Sequence, residues 1–247
     1  MKISAEEEYS KTLLDKRVLL VAPSEAAFET EDEELRSRFD VIARIGHGYR
    51  HNLRTDILFH ALKGDQGNGV REVDVDEAYN VGVKYLLYPR FIRGRIRKLK
   101  ARNSKFKTMG IGAGKFAFGR SHLQRQMKFK ARGRRWKNSP QFKRGNALLG
   151  IVAIWELLQH NPKELHVFGM DFYRTGHFAG YDKQGKASRA RLKRRTHKFH
   201  HLKSNAAWLL QAMKEDKRLT VDSSTFCALK SLFPRLVEKN RKHLQAG

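Results

Sequence analysis

Four short apolar runs set the strongest constraint on the fold: Arg17-Val-Leu-Leu-Val-Ala22, Asp40-Val-Ile-Ala-Arg-Ile45, Asp56-Ile-Leu-Phe-His-Ala61 and Glu164-Leu-His-Val-Phe168. Each is bounded by polar or turn-forming residues, Pro23-Ser24 after the first and Gly169 after the last. A half-exposed strand alternates apolar with polar residues, whereas an unbroken apolar run is the pattern of a strand covered on both faces, as in a parallel sheet. Such a sheet needs helices above and below it. One is legible in Asn146-Ala-Leu-Leu-Gly-Ile-Val-Ala-Ile-Trp-Glu-Leu-Leu-Gln159, opened by Gly145 and closed by Asn161-Pro162. Helix then strand across a short joint is half of a doubly wound sheet. The sequence therefore predicts one Rossmann-like α/β domain over residues 1–247, with a mostly parallel sheet and helices on both faces.

Tyr85-Leu-Leu-Tyr88 and Thr108-Met-Gly-Ile111 are weaker strand candidates on either side of a basic segment, Phe91 to Arg102, that reads as a helix with a cationic face. His197 to Lys214 reads as a helix with Leu202, Ala206, Leu209, Leu210 and Met213 on one side, Leu219-Thr-Val221 as a last strand and 230–247 as a basic tail. No repeat or low-complexity linker marks a domain boundary. With 247 residues, 40% of them hydrophobic, the chain is long enough for a substantial core. The single cysteine, Cys227, excludes an internal disulfide or a cysteine-rich zinc site and fits a reducing compartment. No stretch approaches the roughly 20 apolar residues that span a bilayer. The acidic start is also wrong for a signal or transit peptide, so a soluble, cytoplasmic protein is expected.

Charge is distributed unevenly. Ala78 to Trp155 contains no aspartate or glutamate, yet Arg90 to Arg144 holds twenty lysines and arginines. Like charges this dense oppose compaction unless a polyanion neutralises them. The whole chain carries 51 basic and 25 acidic residues, a formal net charge of +26, and nucleic acid is the commonest partner for such a balance. Anionic membrane is the other option, but no amphipathic anchor rich in Trp and Leu supports it. Phe91, Phe106, Phe116, Phe118, Phe129, Trp136 and Phe142 punctuate the basic middle segment, 90–144, and a second cationic run extends from Lys183 to Lys203. The first forty residues hold eleven carboxylates against six bases, so the amino-terminal edge is expected to face away from the polyanion.

Met109-Gly-Ile-Gly-Ala-Gly-Lys115 is not a standard phosphate loop: Met109 and Phe116 stand where a Walker loop needs Gly and Ser or Thr, and Lys115 where a dinucleotide fingerprint needs Gly. It reads better as a flexible turn. Of eleven histidines, His166, His177, His197, His200 and His201 fall in the last third of the chain around the expected strand end at 168 and the helix at 197–214. His197 and His201 are one helical turn apart, but no cysteine or His-Glu-x-x-His pattern supports zinc. General acid or base work suits histidines on loops at strand ends.

Arg17-Val-Leu-Leu-Val-Ala-Pro-Ser24, Phe39-Asp-Val-Ile-Ala-Arg-Ile45 and Leu53-Arg-Thr-Asp56 resemble, in order and approximate spacing, the long motif of the sialyltransferases of glycosyltransferase family 29. Gly145-Asn-Ala-Leu-Leu-Gly-Ile followed by Glu164-Leu-His-Val-Phe-Gly-Met-Asp-Phe172 is similar to that family's short motif, and His177-Phe-Ala-Gly-Tyr181 to its third. His200-His-Leu-Lys-Ser-Asn205 lies where the family has a histidine followed by a glutamate. These segments cover both ends of the chain and leave the basic middle unexplained. The chain departs from the family at the two asparagines set against the nucleotide, which correspond to Pro23 or its neighbour and to Gly46. It departs again at Arg144-Gly145, in place of Ser/Thr-Gly, and at Asn205, in place of the final glutamate.

The resemblance implies a GT-A-variant fold, a nucleotide-activated sugar donor (a CMP-sugar), inversion at the sugar carbon and no obligatory metal. It implies catalytic roles for His200 and His177, one removing the acceptor proton and the other steadying the leaving phosphate, with His197 and His201 as alternative bases. Ser24, Arg44, Gly145, Asn146 and Asp171 fall at the donor side. Three of these residues have a structural alternative: Arg44, with Asp56, as a salt bridge between strand ends, Asp171 as a loop cap, and His200 on a solvated helix face. Gly145 at a helix start would let backbone amides approach phosphate closely. Two functions are therefore expected: a sialyltransferase-like enzyme acting on a polyanion such as DNA or RNA, or a nucleic-acid-binding module that keeps the fold without catalysis.

Overall fold

A computed structural model describes residues 5–46, 48, 53–60, 75–87, 148–174 and 202–239. The expected strand at 108–111, the basic helix at 91–102, the glycine turn at 109–115 and the basic middle at 90–144 lie outside the described residues. So do Gly145, Asn146, His177, His197, His200, His201 and the end of the basic tail.

All the described strands belong to one parallel sheet. They are β1 (Arg17–Val21), β2 (Val41–Ile45), β3 (Ile57–Phe59), β4 (Tyr85–Leu87), β5 (Glu164–Phe168) and β6 (Leu219–Val221), in the spatial order β4-β3-β2-β1-β5-β6. The register pairs Val18 with both Val41 and Leu165, Ala43 with Ile57, Ile57 with Tyr85, and Leu165 with Leu219. The four apolar runs are thus the four inner strands. The two weaker ones, β4 and β6, are the edges.

The helices are α1 (Ala5–Leu13), α2 (Glu25–Thr30), α3 (Glu33–Ser37), α4 (Val75–Asn80), α5 (Leu149–Leu158), α6 (Leu202–Glu215), α7 (Ser223–Leu232) and α8 (Pro234–Lys239). Side chains of successive strand residues point to opposite faces, and the core divides accordingly. Val18, Leu20, Ala43, Ile45, Ile57, Phe59, Leu165 and Val167 pack with Tyr9 and Leu13 of α1, with α5 and with Ala206, Trp208 and Leu209 of α6. Leu19, Val21, Ile42 and Phe168 face the other way, against Ala27 of α2 and Phe39 after α3. Every residue of α5 from Gly150 to Leu158 is buried, which explains why it lacks a polar stripe. Its end is set by Asn161, left-handed at φ 51°, and by Pro162, which cannot continue a helix.

Helices α2, α3 and α7 are capped by their preceding residues: Ser24 accepts from the Ala27 amide, Asp32 from that of Leu35, and Asp222 from those of Ser224 and Thr225. At the amino edge of the sheet, the Ser10 hydroxyl lies 2.9 Å from His160 Nδ1, and His160 Nε2 lies 3.1 Å from the buried Glu156 carboxylate. This chain ties α1 to the end of α5. The acidic start therefore contributes to the core through Tyr9 and Leu13 while its glutamates Glu7 and Glu8 remain exposed.

Candidate functional site at the sheet switch point

From β1 the chain winds outward to β2, β3 and β4, then crosses back to place β5 on the other side of β1. The winding reverses between β1 and β5, and doubly wound sheets take ligands at the carboxyl ends of the strands on either side of such a switch point. Ser24 and Asp171, chosen from sequence, stand on the loops after β1 and β5.

The loops meet closely. The Ala22 amide bonds to the Phe168 carbonyl at 2.9 Å, carrying the pairing one step beyond β1. Ser24 is buried, and its Oγ accepts the Ala27 N–H at 3.1 Å, so the hydroxyl starts α2. Gly169 sits against it at φ +71°. A Cβ there would overlap Ala27 Cβ and lie 2.8 Å from Ser24 Oγ, so both backbone and packing demand glycine.

Beyond Gly169 the backbone turns sharply. Phe172 and Tyr173 are both left-handed, at φ 53° and 65°. For non-glycine residues this conformation costs on the order of 1–2 kcal/mol each and persists only where surroundings fix it. The Gly169 N–H donates to Asp222 Oδ1 at 3.1 Å and the Met170 N–H to Thr225 Oγ1 at 2.8 Å. The buried Asp171 carboxylate accepts the Tyr173 N–H at 2.9 Å, closing the turn, and Arg174 donates to the Cys227 carbonyl at 3.2 Å. The loop-capping role considered for Asp171 is therefore realised.

The amino end of α5 stands over the carboxyl ends of β2 and β5. At Gly150, a Cβ would overlap Met170 Cε and lie 3.2 Å from Ile45 Cδ1. Leu148, at the cap position, has no capping side chain, leaving first-turn amides of the kind that favour an anion. Asn205 is buried on α6, and its Oδ1 accepts the Leu148 N–H at 2.8 Å. It ties α6 to the start of α5.

Arg44 is not paired with Asp56. Its guanidinium grips Glu31 through two bonds of 2.6 and 2.5 Å, and its Nε donates to Thr55 Oγ1 at 3.0 Å. The Arg44 and Glu31 side chains are 2% and 1% exposed. Asp56 instead accepts the Ile42 N–H at 2.9 Å and pairs with Arg54 and Lys84 at 3.1 and 3.5 Å. Asp56 is level with Ile42 in the β2–β3 register, whereas the Arg44 guanidinium extends to Glu31 at the end of α2 and, in the segment before β3, bonds to Thr55 and the Arg54 carbonyl.

His166 is a core residue. It stacks on Phe39 with ring centroids 5.8 Å apart, and its Nδ1 lies 2.8 Å from Thr220 Oγ1. Burial pushes its pKa down, Asp222 and Glu164 oppose that shift, and Arg38 adds to it. Sequence reasoning overlooked Asp222 and Thr225, although Asp222-Ser-Ser-Thr225 carries an N-cap signature. It also passed over His60, buried directly after β3, because it read that segment only as a strand.

Among the described residues no three His, Cys, Asp or Glu side chains come together to hold a metal, and no helix is long and apolar enough to cross a membrane. Comparison with protein-family models and with curated proteins gives no match.

Proposed function

We propose that this chain is a nucleotide-sugar-dependent glycosyltransferase of the sialyltransferase-like kind, acting in the cytoplasm on a polyanionic acceptor such as DNA or RNA. The observation that supports it most is the convergence of the motif-bearing strand ends, Ser24 after β1 and Gly169-Met-Asp171 after β5, at one switch point, with Met170 lying against Gly150 at the start of α5. Nucleotides bind at such switch points, and the first-turn amides of a helix favour their phosphates. By the resemblance the donor is a CMP-sugar. His200 takes the acceptor proton as the new bond to the sugar carbon forms, and the nucleotide leaves with the electrons of the broken bond, its phosphate charge met by His177.

The direct test is a panel of CMP-, UDP- and GDP-sugars assayed for thermal stabilisation and for nucleotide release, since a ligand of the folded state must raise its melting temperature. One donor class is expected to do both. His200→Ala should lose most turnover, on the order of a hundred- to ten-thousand-fold, and keep donor binding. His177→Ala should cost less. Wild-type turnover in both variants would remove these histidines from the mechanism.

A second reading, a nucleic-acid-binding protein that has kept the fold without the chemistry, is favoured by one observation: Ser24 Oγ and the Arg44 guanidinium are already bonded within the protein. Nucleic-acid binding with no response to any donor would establish that reading over the first.

A further inference from the structure

We infer that α7 is the positioning element of the switch-point site: Thr225, with Asp222, holds the turn 169–174 in its strained shape and so sets nucleotide affinity without contacting the nucleotide. The inference rests on the nucleotide-transferase reading. The turn combines left-handed Gly169, Phe172 and Tyr173, and beyond Phe168 its first two amides no longer bond to a neighbouring strand. They bond instead to side chains from the start of α7, Gly169 to Asp222 and Met170 to Thr225, while Arg174 reaches Cys227 in the same helix.

The anchor is itself fixed. The Asp222 amide bonds to the Val167 carbonyl at 3.0 Å, extending the β5–β6 register into the cap, so the sheet fixes the start of the helix relative to the turn. Asp222 does more than cap. Its Oδ1 accepts from Thr225 of its own helix and also from Gly169 of the turn, while Oδ2 accepts from Ser224. Thr225 is fully buried, and its hydroxyl oxygen serves Met170, two residues beyond β5 and packed at Gly150 of α5. A shift of this amide would displace Asp171 on one side and the start of α5 on the other, the two features assigned to the donor.

The test compares Thr225→Val, which keeps the shape but removes the acceptor, with Thr225→Ser, which keeps the acceptor but removes the methyl. Binding of CMP, UMP and GMP to the full chain is measured by calorimetry beside binding of a single-stranded oligonucleotide. Thr225→Val should weaken nucleotide binding by about tenfold or more, as small displacements at a preorganised site do. Thr225→Ser should stay close to wild type, and both variants should keep oligonucleotide affinity. Should the valine variant fail to fold, Thr225→Ala removes the same acceptor with less crowding. Wild-type nucleotide affinity in Thr225→Val, or equal losses in the serine and valine variants, would overturn the positioning role and leave the transferase reading standing. If the wild-type chain binds none of the three nucleotides, the transferase reading and this inference both fall.

Discussion

Arg44 and Gly169 were both marked by the sequence, and packing explains what each does. The Arg44–Glu31 pair is almost wholly buried, so removing one partner strands the other charge. Breaking a buried pair typically costs about 3–5 kcal/mol, whereas replacing both partners by apolar residues of similar volume is often neutral. Arg44→Met should accordingly lower the urea midpoint strongly, and Arg44→Met combined with Glu31→Leu should recover much of it. An Arg44→Met protein as stable as wild type would mean that the pair does not support the fold. Gly169→Ala meets two obstacles, a left-handed backbone and overlap with Ala27. Overpacking alone costs about 1–3 kcal/mol, so this variant should unfold at clearly lower denaturant, and wild-type stability would show that α2 can shift away from β5. The sequence marked Gly169 because it ends a strand. It could not show Glu31 as the partner of Arg44, because that pairing depends on how α2 lies over β2.

Elements were legible where one physical cause acted alone. Burial on both faces leaves an unbroken apolar run, and the runs at 17–22, 40–45, 56–61 and 164–168 hold β1, β2, β3 and β5. Helices α1, α2, α3, α4, α7 and α8 were passed over for a different reason. The first two or three turns of the chain are rich in glutamate and bury only a narrow stripe, Tyr9 and Leu13. The others are short or begin from polar caps, Ser24, Asp32 and Asp222, whose effect is local. A consequence follows for the contact between β5 and β6, where His166 lies against Thr220 and Phe39. Because burial lowers the His166 pKa, the unfolded chain binds more protons than the folded one below the ordinary imidazole value of about 6.5. Its contribution to stability is complete above that pH and is lost as pH falls through the folded-state pKa. Urea midpoints across this range should therefore drop more steeply for wild type than for His166→Gln. Parallel profiles would show that the imidazole carries its charge as readily in the fold as in the unfolded chain.

Across the whole molecule, the described sheet and most of the net charge belong to different parts of the chain. The sheet is assembled from segments that flank residues 90–144, and that segment alone supplies twenty of the twenty-six net positive charges. Under the proposed transferase reading, such a cationic region would raise the local concentration of a polyanionic acceptor. Binding to DNA or RNA should thus weaken steeply with salt, because each neutralised phosphate releases counterions and adds about 0.9 to the slope of log K against log salt on duplex DNA. Replacing Arg132, Arg134, Arg135 and Lys137 by glutamine should flatten that slope, by about 0.9 for each phosphate no longer neutralised. Any response to sugar nucleotides should stay as in wild type, because Ser24, Gly169 and Asp171, on which the donor reading rests, belong to other segments of the chain. An unchanged slope in this variant would move phosphate binding to the run from Lys183 to Lys203. No binding to single- or double-stranded nucleic acid even at low salt would remove nucleic acid as the acceptor, and the charge would then need an acidic partner of another kind.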